Sequence, residues 1–381
     1  MTINYTWPAI DSANSGAATE QFKQNTCYFL TKAWFSAYLA EWSKDRFLGC
    51  VQVQAGGKKG FVFLSKASRR SKLFVNFISL GFNESTQVEL EGLTLEFNEF
   101  IEAAQDQKTA STSSDLFKAR FEQVLTELET LRWDELRVSA LDEAHAQIAQ
   151  ALASKHNLIL LIHSRRLTYW VDLAQIRSAH GSNYLASRSA NTRSQLRKAL
   201  RNTEQVLGKC VFEIAQSKDQ AHDWLSQMGV LHAQRWNPER KIEGFNNPRF
   251  VAFHQKQINS MWALGQIHVC RLVAGQSRLA YLYNYYVDGR VYFNMSGVDY
   301  DVTGAIKPGL LAHWLAIEHY LSIGSNTYDF LAGTNQYKES LATHKSAQQS
   351  ILIRKRRWFF NLEQTLRKIK ALLNKDSGKN A

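Results

Sequence analysis

The sequence predicts an α/β protein in which two domains each contain a mixed β-sheet. The chain has 381 residues, more than one compact domain usually holds, and 45% of them are hydrophobic, enough for two cores. Apolar residues recur at helical and strand-like spacing in alternation along the chain. The order helix, three strands, helix, strand, helix, strand occurs twice, as a repeat of pattern without residue identity.

The first half begins with an amphipathic helix predicted at 31–42. Three strands follow at 47–54, 60–65 and 72–80, and GGKK between the first two is typical of a hairpin turn. A short strand is predicted at 93–97 and a polar surface loop at 103–115. The remaining predicted elements are a helix at 115–131, a strand at 135–140, a helix at 142–154 and a strand at 158–163.

The second half repeats this order with better-marked boundaries. It opens with a basic helix at 192–203, and a helix begins at Pro308, where a first-turn proline is favoured. The other predicted elements are strands at 211–215, 267–273, 278–286, 291–296, 326–331 and 351–355, and helices at 218–235, 248–264 and 336–342.

The segment 291–338 carries the most specific functional signal. It reads as a strand, a glycine-containing loop, the Pro308 helix, a second strand, and a turn that ends at Tyr337 and Lys338. A loop that leads into a helix N-terminus presents free backbone N–H groups to an anion such as a phosphate. The groups expected to bind it are those of about Lys307, Gly309 and Leu310.

Three stretches of the chain resemble GNAT acyltransferases of the CelD-like (cellulose-biosynthesis-type) branch, relatives of the FemABX aminoacyl ligases. They are SANTRSQLRKALR at 189–201, KPGLL at 307–311 and TYDFLAGTNQYK at 327–338. The match covers about residues 25–355. It departs from the family at ESLATHK, which follows Lys338 where a bulky residue and a glycine are common, and in lacking an apparent FemABX helical hairpin.

The resemblance implies a tandem of two GNAT-like domains, with acyl-CoA bound by the second and a degenerate first copy. We therefore divide the chain into an N-terminal tail (1–24), a degenerate GNAT-like domain (25–180), a catalytic GNAT-like domain (181–356), and a basic amphipathic helix with its tail (357–381).

Acyl transfer from a thioester to an amine requires a base for the amine, an oxyanion donor and a proton for the departing thiolate. Asp329 is the candidate base, or alternatively caps the turn at Gly333. Tyr337 is the candidate acid, or a packed aromatic ring. By resemblance to the ligases, Lys338 holds a phosphate or carbonyl oxygen, or it is a solvated lysine. Backbone N–H groups at Ser296 and Gly297 are expected to bind the pantetheine arm and the thioester oxygen.

Three arginines recur at every fourth position of the basic helix and therefore share one face. Such a row either binds an anion, here the phosphate of an acceptor, or pairs with acids of the same protein. The residues are Arg193 and Arg197, assigned to substrate binding, and Arg201.

The net charge of +12 is concentrated in two patches, the basic helix and the segment 354–379, which alone carries +7. In the tail, apolar residues were assigned to one helical face that either docks on an anionic membrane or packs against its own domain. They are Phe359, Leu362, Leu366, Ile369 and Leu373.

Several classes of protein are disfavoured. The four cysteines are scattered without a CxxC pair or nearby histidine ligands, so reduced thiols and no metal are expected. No apolar run is long enough to span a membrane, and the start MTINYTWPAI does not resemble a signal peptide. We expect a cytoplasmic protein, either free or peripheral to the inner face of the membrane.

These observations lead to an enzyme hypothesis with two alternatives. The leading one is an N-acyltransferase that moves an acyl group, acetyl in the simplest case, from acyl-CoA to an amine of a small-molecule or envelope-precursor acceptor. One alternative is a FemABX-like aminoacyl-tRNA-dependent ligase, the one case in which a nucleic-acid partner is expected. The other is a non-catalytic protein that binds anionic surfaces.

Overall fold

The strands of both halves join in one mixed β-sheet. A computed structural model describes residues 27–42, 46–87, 90, 93, 95–102, 113–235, 244–302 and 306–366. Within them, the N-terminal half contains α1 (Lys32–Ala40), β1 (Phe47–Ala55), β2 (Lys58–Arg70), β3 (Asn76–Phe82), β4 (Ile101–Glu102), α2 (Ser113–Glu129), β5 (Glu135–Asp142), α3 (Glu143–Lys155), β6 (Ile159–Asp172) and α4 (Leu173–His180).

The C-terminal half repeats the order of elements, which confirms the predicted tandem arrangement in mixed α/β form. Its elements are α5 (Ala190–Leu207), β7 (Cys210–Ile214), α6 (Lys218–Arg235), α7 (Pro248–Met261), β8 (Ile267–Ala274), β9 (Ser277–Val287), β10 (Arg290–Val298), α8 (Pro308–Ser322), β11 (Thr327–Ala332), α9 (Gln336–Leu341), β12 (His344–Arg354) and α10 at 358–366.

The two halves exchange their last strands. The strand order is β1-β2-β3-β5-β12-β6-β11-β10-β9-β8-β7, with β4 on β2. Strand β12 of the second half thus pairs with β5 of the first, while β6 of the first half pairs with β11 of the second. The β12–β6 pair is antiparallel over eleven residue pairs and joins the halves. The two domains predicted on either side of residue 180 therefore share one continuous sheet.

Hydrophobic cores lie on both faces of this sheet. Helices α2 and α3 cover one face of the N-terminal half, and α5 and α8 cover the corresponding face of the C-terminal half. A third core lies on the other side and is shared between the halves, because Tyr28 stacks on Tyr285 with ring centroids 4.0 Å apart and α1 packs against α7.

Local signals explain most element boundaries. Thr31 caps α1 by accepting a hydrogen bond from the N–H of Trp34, and Asp142 caps α3 through the N–H of His145. The prediction of a strand at 93–97 is wrong for the described residues there, which have no strand structure, and the carbonyl of Glu96 instead accepts a hydrogen bond from the side chain of Gln348 on β12.

Two further predictions need correction. Strand β6 continues to Asp172, nine residues beyond the predicted end, because both β12 and β11 pair with its second part. Of the predicted loop at 103–115, residues 103–112 lie outside the described residues and the rest begins α2. Helix α4, after β6, was missed.

The beginning of the C-terminal helix packs against its own protein. Phe359 and Phe360 are buried against Phe77 in a small apolar cluster. Leu362 and Leu366 are exposed, because the docked side of the helix is rotated away from them toward Phe360 and Glu363. Ile369 and Leu373 lie outside the described residues.

Candidate active site

The parallel strands β10 and β11 separate at the centre of the C-terminal half. They pair over three residue pairs, from Arg290–Thr327 to Tyr292–Asp329. Beyond that point β10 pairs with β9 through a bulge near Phe293, while β11 pairs with β6. Within the described residues, the edge of β10 from Phe293 onward has no strand partner on the side of β11. The divergence opens a gap in the sheet.

A cavity of about 530 Å³ occupies this gap and reaches the N-terminus of α8. Lys307, Gly309 and Leu310 line it, as predicted from the sequence. The first turn of α8, which the structure describes in full, contains no acidic residue, and Lys307 provides no side-chain cap. Its backbone N–H groups can therefore donate hydrogen bonds to an anionic ligand in the cavity.

Ser296 and Gly297 have different environments although they are adjacent in β10. Ser296 lines the cavity. Gly297 lies beneath α6, where a Cβ atom would clash with the carbonyl oxygen of Met228 and lie 2.9 Å from its Cα. The structure thus gives Gly297 a packing role that the sequence did not indicate, since only a glycine lets the backbones of α6 and β10 approach so closely.

Asp329 is buried on the sheet face opposite α8. Its Oδ1 accepts a hydrogen bond of 2.8 Å from the N–H of Leu331, which has a left-handed backbone with φ of 58°. Burial raises the pKa of the Asp329 carboxyl to about 6, although this hydrogen bond and the charge of Arg290 oppose the rise. Asp329 does not line the cavity, so the turn-capping interpretation and a chemical one are both compatible with its position.

Lys338 lines the cavity and is 5% exposed. Its Nζ donates hydrogen bonds to the carbonyls of Phe330 (2.8 Å) and Ala332 (2.9 Å) at the end of β11. Burial lowers the pKa of the Lys338 ammonium to about 8, while the carboxylates of Glu96 and Asp329 oppose this shift. The alternative of a solvated lysine is therefore wrong.

Tyr337 stacks on the imidazole of His313, with ring centroids 4.9 Å apart and an interplanar angle of 13°. Both rings line the cavity. The Nδ1 atom of His313 is 3.0 Å from the hydroxyl of Tyr328, and burial lowers the pKa of His313 to about 3, so this imidazole is neutral. The stacking orients the ring of Tyr337 at the wall of the cavity.

The basic helix, α5, contacts the site indirectly, through Arg188 and the end of α9. Arg193 donates a 2.6 Å hydrogen bond to the carbonyl of Arg188, and Arg188 in turn donates to the carbonyls of Leu341 and Ala342 at the end of α9. This chain of contacts holds the helix that carries Tyr337 and Lys338. Neither Arg193 nor Arg197, both described, lines the cavity, and Arg197 is exposed on the outer face of α5.

Sequence reasoning missed the contribution of the N-terminal half. The carboxylate of Glu96 favours the charged form of Lys338 and disfavours that of Asp329. Arg166 of β6 lies close to this group, with its Nη2 atom 4.0 Å from Oε2 of Glu96. No local pattern marks Glu96, because its position depends on the fold of a segment without regular structure.

The described residues contain no group of histidine, cysteine or carboxylate side chains that could hold a metal ion. In the same part of the chain, no helix is both long and apolar enough to cross a membrane.

Comparisons with known proteins agree with the fold of this site. Residues 190–339 match the family model of the acetyltransferase (GNAT) domain. The chain carries a GNAT-type acyltransferase domain. It is therefore an enzyme of the acyltransferase class, and the matched segment contains the cavity, α8 and most of α9.

Solved structures resemble almost the whole chain. FemX has a TM-score of 0.55 at 9% identity, covering 87% of this chain and 93% of its own. A conserved protein of unknown function from Bacteroides thetaiotaomicron VPI-5482 has a TM-score of 0.50 at 7% identity, with coverage of 86% and 90%. A tandem GNAT protein from the clavulanic acid biosynthesis pathway has 12% identity and a TM-score of 0.44, with coverage of 88% and 90%.

At these identities the likeness concerns the fold. The comparison with curated proteins gives no match.

Proposed function

We propose that the chain is an acyl-CoA-dependent N-acyltransferase whose donor lies between β10 and β11, with acetyl-CoA as the simplest donor. The observation that carries this proposal is the gap that opens beyond Tyr292 and Asp329 and leads to an acid-free helix N-terminus. A thioester arm needs exposed strand-edge N–H groups, and a pyrophosphate needs the N–H groups of a helix start. The open edge of β10 and the start of α8 both lie along one cavity.

Different residues would bind the pyrophosphate and the pantetheine arm of the donor. The N–H groups of Gly309 and Leu310, together with the nearby Lys307, would hold the pyrophosphate. The open edge of β10 near Ser296 would hold the pantetheine arm and the thioester oxygen. The 530 Å³ cavity is within the size of small-molecule sites, and its lining of apolar and backbone groups suits such an arm.

The amine must lose a proton before it attacks the thioester carbon. Asp329 is the proposed base and acts through a water molecule, since it does not line the cavity; a carboxyl with a pKa near 6 is ionised at neutral pH and still accepts a proton. The new C–N bond forms as the C–S bond breaks. Tyr337 protonates the departing thiolate, and the ammonium of Lys338 stabilises the negative charge that develops beside it.

The acceptor is proposed to be an amine that enters from the side of Glu96 and Arg166, where the two halves meet. The acceptor is further proposed to be an envelope or polysaccharide precursor; Arg197 is exposed on α5, at the sheet face that α8 covers, and is therefore not assigned to a phosphate at this entrance. The four cysteines, all described, are free, and the cytoplasm is the compartment proposed for the protein.

The test is to incubate the full chain with acetyl-CoA or longer acyl-CoAs and a panel of amines, and to follow release of free thiol. We expect saturable acyl-CoA binding and amine-dependent thiol release. A well-folded protein that binds none of these donors would overturn the proposal. Binding of aminoacyl-tRNA that falls steeply with salt, in place of acyl-CoA, would favour the ligase alternative.

A further inference from the structure

A second cavity, of about 460 Å³, lies in the N-terminal half at the other end of β6 and β12. Five basic side chains line it, against two carboxylates. The cations are Arg69, Arg70, Lys72, Arg137 and Arg354, and the carboxylates are Glu135 and Glu363. Such an excess of positive charge in a concave site predicts an anionic ligand.

The two carboxylates are already engaged within the protein. Glu135 pairs with Arg354, with 2.7 Å between Oε2 and Nη2. Glu363 accepts a hydrogen bond from the backbone N–H of Lys72. The remaining field of the cavity is positive.

An apolar stripe runs along the exposed side of α10, the helix whose Phe360 and Glu363 line this basic cavity. Trp358, Leu362 and Leu366 recur at every fourth position of α10 and are 66%, 43% and 47% exposed. On the turn between β2 and β3, whose Arg70 and Lys72 line the same cavity, Phe74 is 72% exposed, with the guanidinium of Arg70 4.8 Å from its ring centroid. Large apolar side chains exposed on two elements that line one basic cavity indicate an interaction surface.

This surface is held rigidly. Phe359 and Phe360 fix α10 on Phe77, and Leu73 and Val75 of the turn pack against the same cluster. The hydrogen bonds of Ser71 with Val75 and Phe74 close the turn and direct Phe74 outward. The apolar stripe and the basic cavity therefore keep a constant relative position.

The second cavity is separate from the proposed donor site. Strand β6 runs from Ile162 at this cavity to Trp170, which pairs with Asp329. Eight residues of extended strand span roughly 27 Å at about 3.4 Å each. A small anion in the second cavity would not reach the reacting atoms.

We propose that the basic cavity and the apolar stripe together form a docking surface for an anionic phospholipid membrane. A lipid phosphate occupies the cavity, and Trp358, Leu362, Leu366 and Phe74 enter the headgroup layer. A soluble phosphate would use the cations but leave the apolar stripe in water, whereas a membrane uses both. This inference does not depend on the proposed acyl-CoA chemistry.

The test is flotation of the full chain with vesicles of phosphatidylcholine alone or mixed with phosphatidylglycerol. We expect about tenfold or stronger preference for the anionic vesicles, lost as salt is added. The variants Trp358→Ser with Leu362→Ser, and Arg70→Ala with Lys72→Ala, should each weaken this binding by about tenfold. Melting temperature and acyl-CoA binding should stay as in the wild type, because these side chains are exposed and far from the donor cavity.

The matched control removes two exposed cations elsewhere, Lys59→Ala with Lys118→Ala, at the first hairpin and on α2. It should retain vesicle binding within about twofold, because charge outside the docking surface contributes little beyond a Debye length. The proposal is overturned if the wild type does not float with anionic vesicles, or if the control weakens binding as much as the cavity variant. It is also overturned if inorganic phosphate stabilises the protein against heat through Arg70 and Lys72 while vesicles do not bind.

Discussion

The two halves contain the same gap in the sheet, and they differ in what occupies it. In the C-terminal half β10 and β11 pair in parallel over three residue pairs and then separate at the donor cavity. In the N-terminal half β3 and β5 also pair in parallel over three residue pairs, from Ser79–Glu135 to Gly81–Arg137. The final parallel pair thus carries Asp329 in one half and Arg137 in the other.

The gap of the N-terminal half is filled by its own chain. The N–H of Asn98 donates to the carbonyl of Ala140 on β5, and its side chain donates to the carbonyl of Phe82 on β3. Asn83 donates to the side chain of Asn98 and to the carbonyl of Glu99. Phe100 then packs edge-on against Phe82. Backbone groups that a thioester arm would use are thereby satisfied internally.

The helices that follow the two gaps also differ, in the acidic residues at their first turns. The first turn of α8 holds no acid, whereas the first turn of α2 contains Asp115, and Glu99 accepts a hydrogen bond from Ser113 beside it. Carboxylates at a helix start occupy the backbone N–H groups that a phosphate would bind, and their negative charge repels the phosphate. The two halves therefore share a framework that opens a gap between parallel strands, and the segment next to each gap decides whether the gap can hold a ligand.

The largest expected effect comes from removing the carboxylate of the open half. Asp329→Asn should lower the rate of amine acylation by about 10²–10⁴-fold, because the proposed base is lost, while acyl-CoA binding is unchanged. Asparagine retains the oxygen that accepts from Leu331, so a turn-capping role alone would leave the rate near wild type. Rates with saturating acyl-CoA distinguish the two roles.

The same substitution changes the response to pH. In the folded protein the pKa of Asp329 is raised to about 6 from 3.8, so stability falls as pH rises from about 4 through 6. Asp329→Asn should remove this loss and raise the free energy of unfolding above pH 6 by on the order of 1–3 kcal/mol. The wild-type acylation rate should rise with pH through about 6, and a flat acid limb would exclude Asp329 as the base.

An intermediate effect is expected in the filled half. Asn98→Ala should lower the free energy of unfolding by about 1–3 kcal/mol, because the carbonyl of Phe82 loses its donor and the buried amide of Asn83 loses one of its two acceptors. Acyl-CoA affinity should not change. Ser113→Ala, at the exposed start of α2, is the control and should cost little. An altered acyl-CoA affinity in Asn98→Ala would mean that the filled gap communicates with the donor site.

The smallest expected effect is at the helix start. Gly309→Asp should weaken acyl-CoA binding by about tenfold or more, equivalent to about 1.4 kcal/mol, because a carboxylate meets the pyrophosphate. Melting should not be impaired, since an acid suits a first turn. Gly309→Ala separates charge from size, because its Cβ would lie 3.6 Å from Val298 and have room. Equal loss of binding in both variants would point to crowding rather than charge.

The sequence predicted those parts of the fold that local patterns control. The bounds of α6 were predicted exactly, and Pro308 correctly begins α8. The exchange of β6 and β12 was not predicted, because the pairing of a strand with a distant half of the chain leaves no mark in its own periodicity. The length of β6 was missed for the same reason, whereas α4 was missed although Asp172 caps its start and a left-handed Gly181 ends it.

The candidate site was predictable where one segment supplies it. Lys307, Gly309, Leu310, Tyr337 and Lys338 all line the donor cavity, and they lie within 32 residues of one another. Glu96 was missed because only the tertiary fold brings it to Lys338. The hydrogen bond of Arg193 to Arg188 and the contact of Gly297 with Met228 also depend on packing, and so their supporting roles were not visible in the sequence.

The number of acyl-CoA molecules bound per chain tests the contrast between the two gaps most directly. Isothermal titration of the full chain with acetyl-CoA should give one equivalent, and Gly309→Asp should weaken that site while Asn98→Ala leaves it intact. Two equivalents would mean that the N-terminal gap also opens to the ligand. No binding to a folded chain would contradict the assignment of the C-terminal gap as the donor site.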